Sequence, residues 1–546
     1  MKKPKSLTNE SNFVVPPNEL LINLLSCKSK KSLQNMNLEL TKAVVNTDLG
    51  CLSIGNIISE GTNIYSKLVD SGLDKEEILG LTEKYNVIWP WSLSYSNLKE
   101  NINKLFVSLP LLIAYPRNST ETSFFIQFAV KHKFKLAIRS GGNCFENYSV
   151  DGDVIIDTSL LELQEHVPEN NIPDDKKCVS DPKYITKIIS SGILIDEQNL
   201  TVTVSAGVRL GVVVTELSKK GYVAATGICP AVAVGGNIPT GGVGYYVRKF
   251  GLTIDNLIES EIVLADGSIL KLSDTSNPDL YRAIKGAGAG NFGIITQFRL
   301  KIYPIKSVLF FNITYSINDA VELFDKFQKI ILSLSPNFSA LVISLSGGLD
   351  IISLSGLYVG SNKNKLKALM NYLEIIPLDV VKKDVSPYTA ASLFALENPN
   401  MPFSTSNSNF IKYHIPSINI QKIVKYLARI PKGLFTGLQF VGWGGEVNRV
   451  PADASVFPAR EGFIGWLSHV TFWEQQSMTA EALIYDSMLQ RLCEEFPVGA
   501  HYYGYQNKKN PVNTYFLPED YSYLMHIKKK YDPHNIFNFG GSIPVE

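Results

Sequence analysis

The sequence predicts a two-lobed α+β protein, and three observations carry that expectation. The chain has 546 residues, more than one small core organises. From Pro110 onward strand-like and helix-like runs alternate. After Tyr303-Pro304 the pattern changes to mixed helices and strands of alternating polarity, as an antiparallel sheet covered by helices would show. The expected segments are a mostly helical extension over 1–105, a first lobe over 106–305, a second lobe over 306–489 and a closing segment over 490–546.

Taken in order, Leu73-Asp74-Lys75-Glu76-Glu77-Ile78-Leu79-Gly80-Leu81 reads as a helix with an acidic first turn. Leu111 to Tyr115 is a short buried strand ended by Pro116. Ser119-Thr120-Glu121 is expected to cap a helix running through Phe125 and Val130. Lys135 to Arg139 is a strand that delivers the turn Ser140-Gly141-Gly142, and Val154 to Asp157 and Leu200 to Gly207 continue as strands. The polar stretch between them, about 165–197, reads as a surface insertion. Phe463 to Thr471 alternates as a strand of the second lobe.

Lys and Arg total 52 against 51 Asp and Glu, a net charge of +1, which gives no electrostatic reason to invoke nucleic acid or an anionic membrane. No run of about 18 apolar residues predicts a membrane span. The basic start, Met1-Lys2-Lys3-Pro4-Lys5, leads into polar residues rather than an apolar stretch, so a cytoplasmic location is expected. Cys27, Cys51, Cys144, Cys178, Cys229 and Cys493 lack metal-like spacing, so no metal site is expected and reduced thiols are.

The chemistry-bearing stretches begin with Gly235-Gly236-Asn237-Ile238-Pro239-Thr240-Gly241-Gly242-Val243-Gly244. Glycines let main-chain N–H groups approach a pyrophosphate with no Cβ in the way. Taken alone, a glycine-rich turn in a twisted sheet explains the run equally well, and neither a dinucleotide fingerprint nor a Gly-Lys-Ser/Thr loop is present. Around it stand Arg139-Ser140-Gly141-Gly142-Asn143, Gly227-Ile228-Cys229-Pro230-Ala231-Val232, Arg248 to Asn256, Lys285 to Thr296, and Lys530-Tyr531-Asp532-Pro533-His534-Asn535-Ile536-Phe537 with Ser542-Ile543-Pro544.

In order and approximate spacing these stretches resemble the flavin lobe and C-terminal signature of the vanillyl-alcohol-oxidase superfamily, closest to its berberine-bridge-enzyme-like branch, over roughly Pro110 to Pro544. The resemblance implies a PCMH-type FAD-binding first lobe, an α+β substrate lobe, and a closing segment that returns to the flavin. It implies FAD contacts at Arg139, Ser140, Gly141, Gly142, Asn143, Gly207, Cys229, Val232, Gly235, Gly236, Ile238, Gly241, Gly242, Gly244, Asp255, Asn291, Gly293, Ile294 and Asn535. In the family a histidine and a cysteine both bond the flavin. Here Asn143 stands at the histidine position and is no nucleophile, so the expected attachment is through Cys229 alone. Cys144 offers an alternative, a disulfide with Cys229, and a buried apolar role for Cys229 is the plainer one. By the same resemblance Val232 is a gate that admits dioxygen, though a packed core valine explains it as well.

The substrate lobe departs from the family pattern. Val441-Gly442-Trp443-Gly444-Gly445-Glu446 resembles a stretch written around Tyr-Gly-Gly. Where the family presents a lysine and a glutamine on one strand face, the chain has Trp466 and Ser468, and Val243 replaces an aromatic phenol. Tyr502-Tyr503-Gly504-Tyr505-Gln506-Asn507 leaves Tyr505, then Tyr502, as candidate general bases, against the alternative that Tyr505 packs on the flavin. His469 should face away, and Glu446 is a minor candidate. The expected activity is FAD-dependent oxidation of a small-molecule alcohol, sugar or natural product, with dioxygen as acceptor giving hydrogen peroxide. An isomerase or cyclase without net oxidation and a non-catalytic flavoprotein are the alternatives.

Overall fold

The computed structural model describes residues 70–546 except 74, 91, 93, 168–177, 182–183, 190–191, 361, 363 and 395–400. The helical reading of 1–69, the stretch 168–177, and Cys27 and Cys51 lie outside the described residues.

The first helix, α1 (Lys75–Lys84), carries Glu76 and Glu77 in its first turn, as its sequence predicts. A four-stranded sheet follows, with β1 (Val87–Ile88), β2 (Leu112–Ala114), β3 (Leu136–Arg139) and β4 (Val154–Asp157) in the order β1-β2-β4-β3. β2 and β3 both run parallel to β4, so a crossover is required between β2 and β3. α2 (Ser119–Lys131) supplies it and buries Phe125, Ile126 and Phe128. Its cap is not the Ser119-Thr120-Glu121 triplet. Asn118 stands in the extended region and its side chain accepts from the Glu121 N–H, which leaves Ser119 free to donate to Glu261.

The polar insertion contains strands β5 (Leu163–Val167), β6 (Cys178–Asp181) and β7 (Tyr184–Ile189), paired antiparallel in the order β5-β7-β6. It ends sooner than its composition suggests, because β8 (Ile193–Asp196) pairs with β9 (Thr201–Ser205). These two join β11 (Leu257–Val263), β12 (Ile269–Leu272) and β13 (Ile294–Lys301) in a five-stranded sheet ordered β12-β11-β13-β9-β8. The short pair β10 (Tyr222–Val223) and β14 (Tyr303–Pro304) stands at the exit of this lobe.

The second lobe is a seven-stranded antiparallel sheet. β15 (Val308–Ser316), β16 (Phe338–Ser346), β17 (Ile351–Tyr358), β18 (Asp379–Val385), β19 (Phe403–Ile411), β20 (Leu434–Gly442) and β21 (Gly465–Trp473) lie in the order β18-β15-β17-β16-β20-β21-β19. Helices α3 (Ala320–Ile330), α4 (Ser417–Leu427) and α5 (Thr479–Cys493) cover one face, burying Phe324, Phe327, Ile423 and Leu489 against Ile343, Leu438, Phe440 and Leu467. Alternation therefore sends Trp466, Ser468, Gln439, Ser344 and Ser408 to the other face, which the helices leave open. No described helix is long and apolar enough to cross a membrane.

α6 (Pro518–Tyr531) and the residues after it return to the first lobe. Lys528, fully buried, donates to the carbonyls of Asn291 and Phe537 and to Asp532, each at 2.7 Å. The Ile543 N–H donates to the Asn291 side chain.

Candidate functional site

β3 ends at Arg139, and the chain turns through Ser140 to Asn143 with Gly142 at φ 67°, a conformation that suits glycine. The N–H groups of Gly141, Gly142 and Asn143 have no hydrogen-bond partner among the described residues. Successive free N–H groups around a left-handed residue form an anion-binding concavity.

The structure brings the two presumed attachment stretches into contact. Asn143 Nδ2 donates to its own turn at the Gly141 carbonyl (2.8 Å) and across to the Ala231 carbonyl (3.0 Å). Arg209 donates to the same Ala231 oxygen. Cys229 is two residues away, half-buried, with its carbonyl accepting from the Val232 N–H at 3.2 Å. Tyr245 OH fixes the preceding carbonyl of Ile228 at 2.7 Å. Val232 is half-buried against the first lobe's core. Cys144 and Cys229 are both free thiols, so the disulfide alternative is not formed, and burial pushes the Cys144 thiol up to about 11.

Several of the other predicted contacts have their side chains committed elsewhere. Arg139 is buried, forms a 2.5 Å ion pair with Asp157 and donates to the Leu98 carbonyl, so its guanidinium is not free for a phosphate. Asp255 is held by both terminal nitrogens of Arg460, at 2.9 and 2.8 Å. Asn291, fully buried, donates to the Ala287 carbonyl and to the Tyr503 hydroxyl. Asn535 takes a positive φ, and its buried side-chain oxygen has no partner among the described residues. Ile238 and Ile294 are core residues.

The glycines divide similarly. A Cβ on Gly235 would meet Ser140 Oγ at 2.5 Å, and one on Gly207, Gly242, Gly244 or Gly293 would strike Thr158, Thr253, Thr226 or Val263. Gly241 faces the Phe457 ring. Only Gly236 of this run points a would-be Cβ into open space. The run thus packs tightly against Ser140, Phe457, Thr253 and the Thr226 backbone and leaves Gly236 open, and the free N–H groups of 141–143 are donors of the kind a phosphate takes.

Opposite this edge stands the open face of the second lobe. Trp466 sets its ring edge-on to Tyr502 (5.2 Å, 75°) and Tyr505 (5.1 Å, 87°). Phe145, two residues past Asn143, packs on Tyr505 at 5.2 Å. Burial raises the Tyr505 phenol above its ordinary range, and the nearby Tyr502 and Cys229 add to the rise. Burial raises Tyr502 too, while the Thr240 hydroxyl and the N–H groups of Gly242 and Val243 pull the other way. The Tyr505 hydroxyl makes no hydrogen bond among the described residues. His469 lies on the covered face, between Asp486 and Gln490 at 3.0 Å each. Glu446 pairs with Arg449 near the surface.

Sequence reasoning missed Phe145, Tyr245, Arg209 and Arg460. Phe145 follows directly on the Asn143 stretch and could have been found there. Arg460 sits in Ala459-Arg460-Glu461-Gly462, which carries no signal of its partner 205 residues away.

Two family descriptions match the chain, "FAD binding domain" over residues 185–273 and "Berberine and berberine like" over 501–544. Among curated relatives, an uncharacterised FAD-linked oxidoreductase, YvdP of Bacillus subtilis, is 26% identical and covers 84% of this chain and 97% of its own. Reticuline oxidase of Eschscholzia californica is 27% identical, covering 80% and 84%. Among solved structures, BBE-like 1 of Physcomitrella patens superposes with a TM-score of 0.72 at 21% identity, covering 85% of this chain and 97% of that one. Coverage of nearly the whole relatives, a shared fold and the match at the C-terminal signature agree: the chain is an FAD-linked oxidoreductase, similar over most of its length to the berberine-bridge-enzyme-like proteins.

Proposed function

We propose that the protein oxidises an uncharged organic alcohol, sugar or natural product, with its FAD attached through Cys229 alone and dioxygen as the electron acceptor. The observation that carries the reading is the run of contacts from the Asn143–Ala231 hydrogen bond through Phe145 to Tyr505 and Trp466, with Cys229 close enough to Tyr505 to raise its phenol. Bound FAD supplies a two-electron acceptor for a substrate hydride, and dioxygen takes those electrons on as hydrogen peroxide. The chain's own residues do the rest. The N–H groups of 141–143 bind anionic oxygen, and Asn143 keeps its turn against the cysteine stretch. Tyr505, whose hydroxyl makes no hydrogen bond among the described residues, takes the substrate proton in its deprotonated, phenolate form. Trp466, Phe145 and Tyr502 exclude water and give an apolar wall for a ring-bearing ligand. The half-buried Val232 leaves room for dioxygen, and the free thiols Cys144, Cys229 and Cys493 support a reducing, cytoplasmic setting.

One observation favours a second reading, an isomerase or cyclase without net oxidation: both phenols are pushed up by burial with no cation on the strand beside them to pull them down. Anaerobic addition of alcohol, sugar and amine panels to the purified holoprotein separates the two. The oxidase reading expects flavin bleaching by at least one compound and stoichiometric peroxide on admitting air. Product without bleaching contradicts it and supports the isomerase.

A further inference from the structure

Three of the four described tryptophans satisfy the indole N–H in the ordinary way. Trp89 donates to Thr82 at 3.0 Å, Trp443 to the Ala459 carbonyl at 3.2 Å and Trp473 to Thr479 at 3.0 Å. Trp466 does not. It is 5% exposed, and its Nε1 is buried without a hydrogen-bond partner among the described residues. A buried donor left unpaired is costly, and native folds rarely keep one without a use.

The position of this donor is specific. Trp466 stands on the sheet face opposite α3, α4 and α5, edge-on to both candidate tyrosines. Ser468 follows it on that face, with Ser408 directly opposite in register. The wall made by Trp466, Ser468, Ser408, Phe410, Tyr502 and Tyr505 carries no acid or base that is ionised near neutrality. A carboxylate or ammonium placed there would lose its hydration with no counter-charge in return.

We propose that the Trp466 indole N–H is the substrate-positioning donor of this site, selecting an uncharged ligand that presents an acceptor oxygen beside its reacting carbon. The assignment rests on the oxidase reading above and deepens it: where the family pattern has a lysine, this chain has a neutral donor on a rigid ring, which holds an oxygen without favouring an anion.

The test is a binding titration, so it does not depend on turnover. Holoprotein is titrated with benzyl alcohol, toluene and benzoate, and binding is read as perturbation of the flavin absorbance. Wild type should bind benzyl alcohol about tenfold more tightly than toluene, with benzoate weaker than the alcohol. Trp466→Phe should erase the alcohol preference, so that benzyl alcohol and toluene bind equally whatever the smaller ring does to both, and Trp466→His, which restores a ring N–H, should recover part of it. No preference in wild type, including no perturbation by any probe, overturns the proposal, as does a preference that survives in Trp466→Phe. A changed flavin spectrum or flavin loss in ligand-free Trp466→Phe also overturns it, since the donor would then serve the cofactor. If the alcohol preference holds but no compound bleaches the flavin anaerobically, the oxidase reading fails and the positioning role stands.

Discussion

An amide in place of an imidazole changes what position 143 can do. It cannot bond carbon, but it donates two hydrogen bonds at once, and here they tie Gly141 to Ala231. The Asn143 amide thus ties the two stretches to one another without a covalent bond. Such a tether positions the neighbouring Cys229 without consuming it. Tyr505 shows the cost of an apolar site. Its phenol is raised above the ordinary value of 10.0 by burial and by two neighbours of its own sign when ionised. A general base works only when deprotonated, so the raised value puts the active form on the alkaline side. The rate of flavin reduction by substrate should therefore climb with pH up to about 10 without levelling. Tyr505→Phe should lose the climb and most of the rate, roughly a hundredfold or more. A plateau below about pH 9 in the wild type would mean another group takes the proton.

At the level of elements, what could be read from sequence was what local pattern determines. β4 spans Val154–Asp157 as expected, β2 and β3 fall within a residue of their expected ends, and the alternation of β21 correctly sends His469 away from Trp466 and Ser468. The cap of α2 was misplaced by one residue because Asn118 and Ser119 are both good capping residues, and only the backbone angles choose between them. The insertion's strands were missed although β7, Tyr184-Ile185-Thr186-Lys187-Ile188-Ile189, has the β-branched composition of a strand, because the polar residues before it set the reading of the whole stretch. The C-terminal signature was legible as a pattern but not as a mechanism. Its work is done by Lys528, two residues before the motif, whose ammonium satisfies Asn291 and Phe537 carbonyls and the Asp532 carboxylate inside the core. Asp532 in turn accepts from the N–H groups of Ile536 and Phe537. Lys528→Met would leave that carboxylate buried without its cation. It should lower stability in urea denaturation by about 3–5 kcal/mol, with early loss of α6. A loss under about 1 kcal/mol would show that the pair is not what anchors the closing segment.

On the scale of the molecule, the site exists only because two lobes are held face to face. The pairings that hold them were invisible in sequence, since each joins residues far apart in the chain. Arg460 grips Asp255 across 205 residues, and Arg248, fully buried, donates to the carbonyls of Phe338, Ile331 and Leu334. Asn103 reaches Ser404, and Asn507 reaches Ser406 and Thr405. Burial drives the Arg248 guanidinium down to about 10, still charged at neutral pH, so its carbonyl cradle is a fixed interlobe fastener. Of the two charged residues expected at the cofactor, Asp255 has its side chain in this interlobe framework and Arg139 has its own paired with Asp157 within the first lobe. Beside this framework lie the free N–H groups of 141–143 on one lobe and the ring contacts of Trp466 with Tyr502 and Tyr505 on the other. The most direct test of this account is acid precipitation of the purified holoprotein. Yellow flavin should stay with the wild-type pellet and with Asn143→Ala, and should pass entirely into the supernatant from Cys229→Ala. Flavin released freely from the wild type, or retained by Cys229→Ala, would contradict attachment through Cys229 alone.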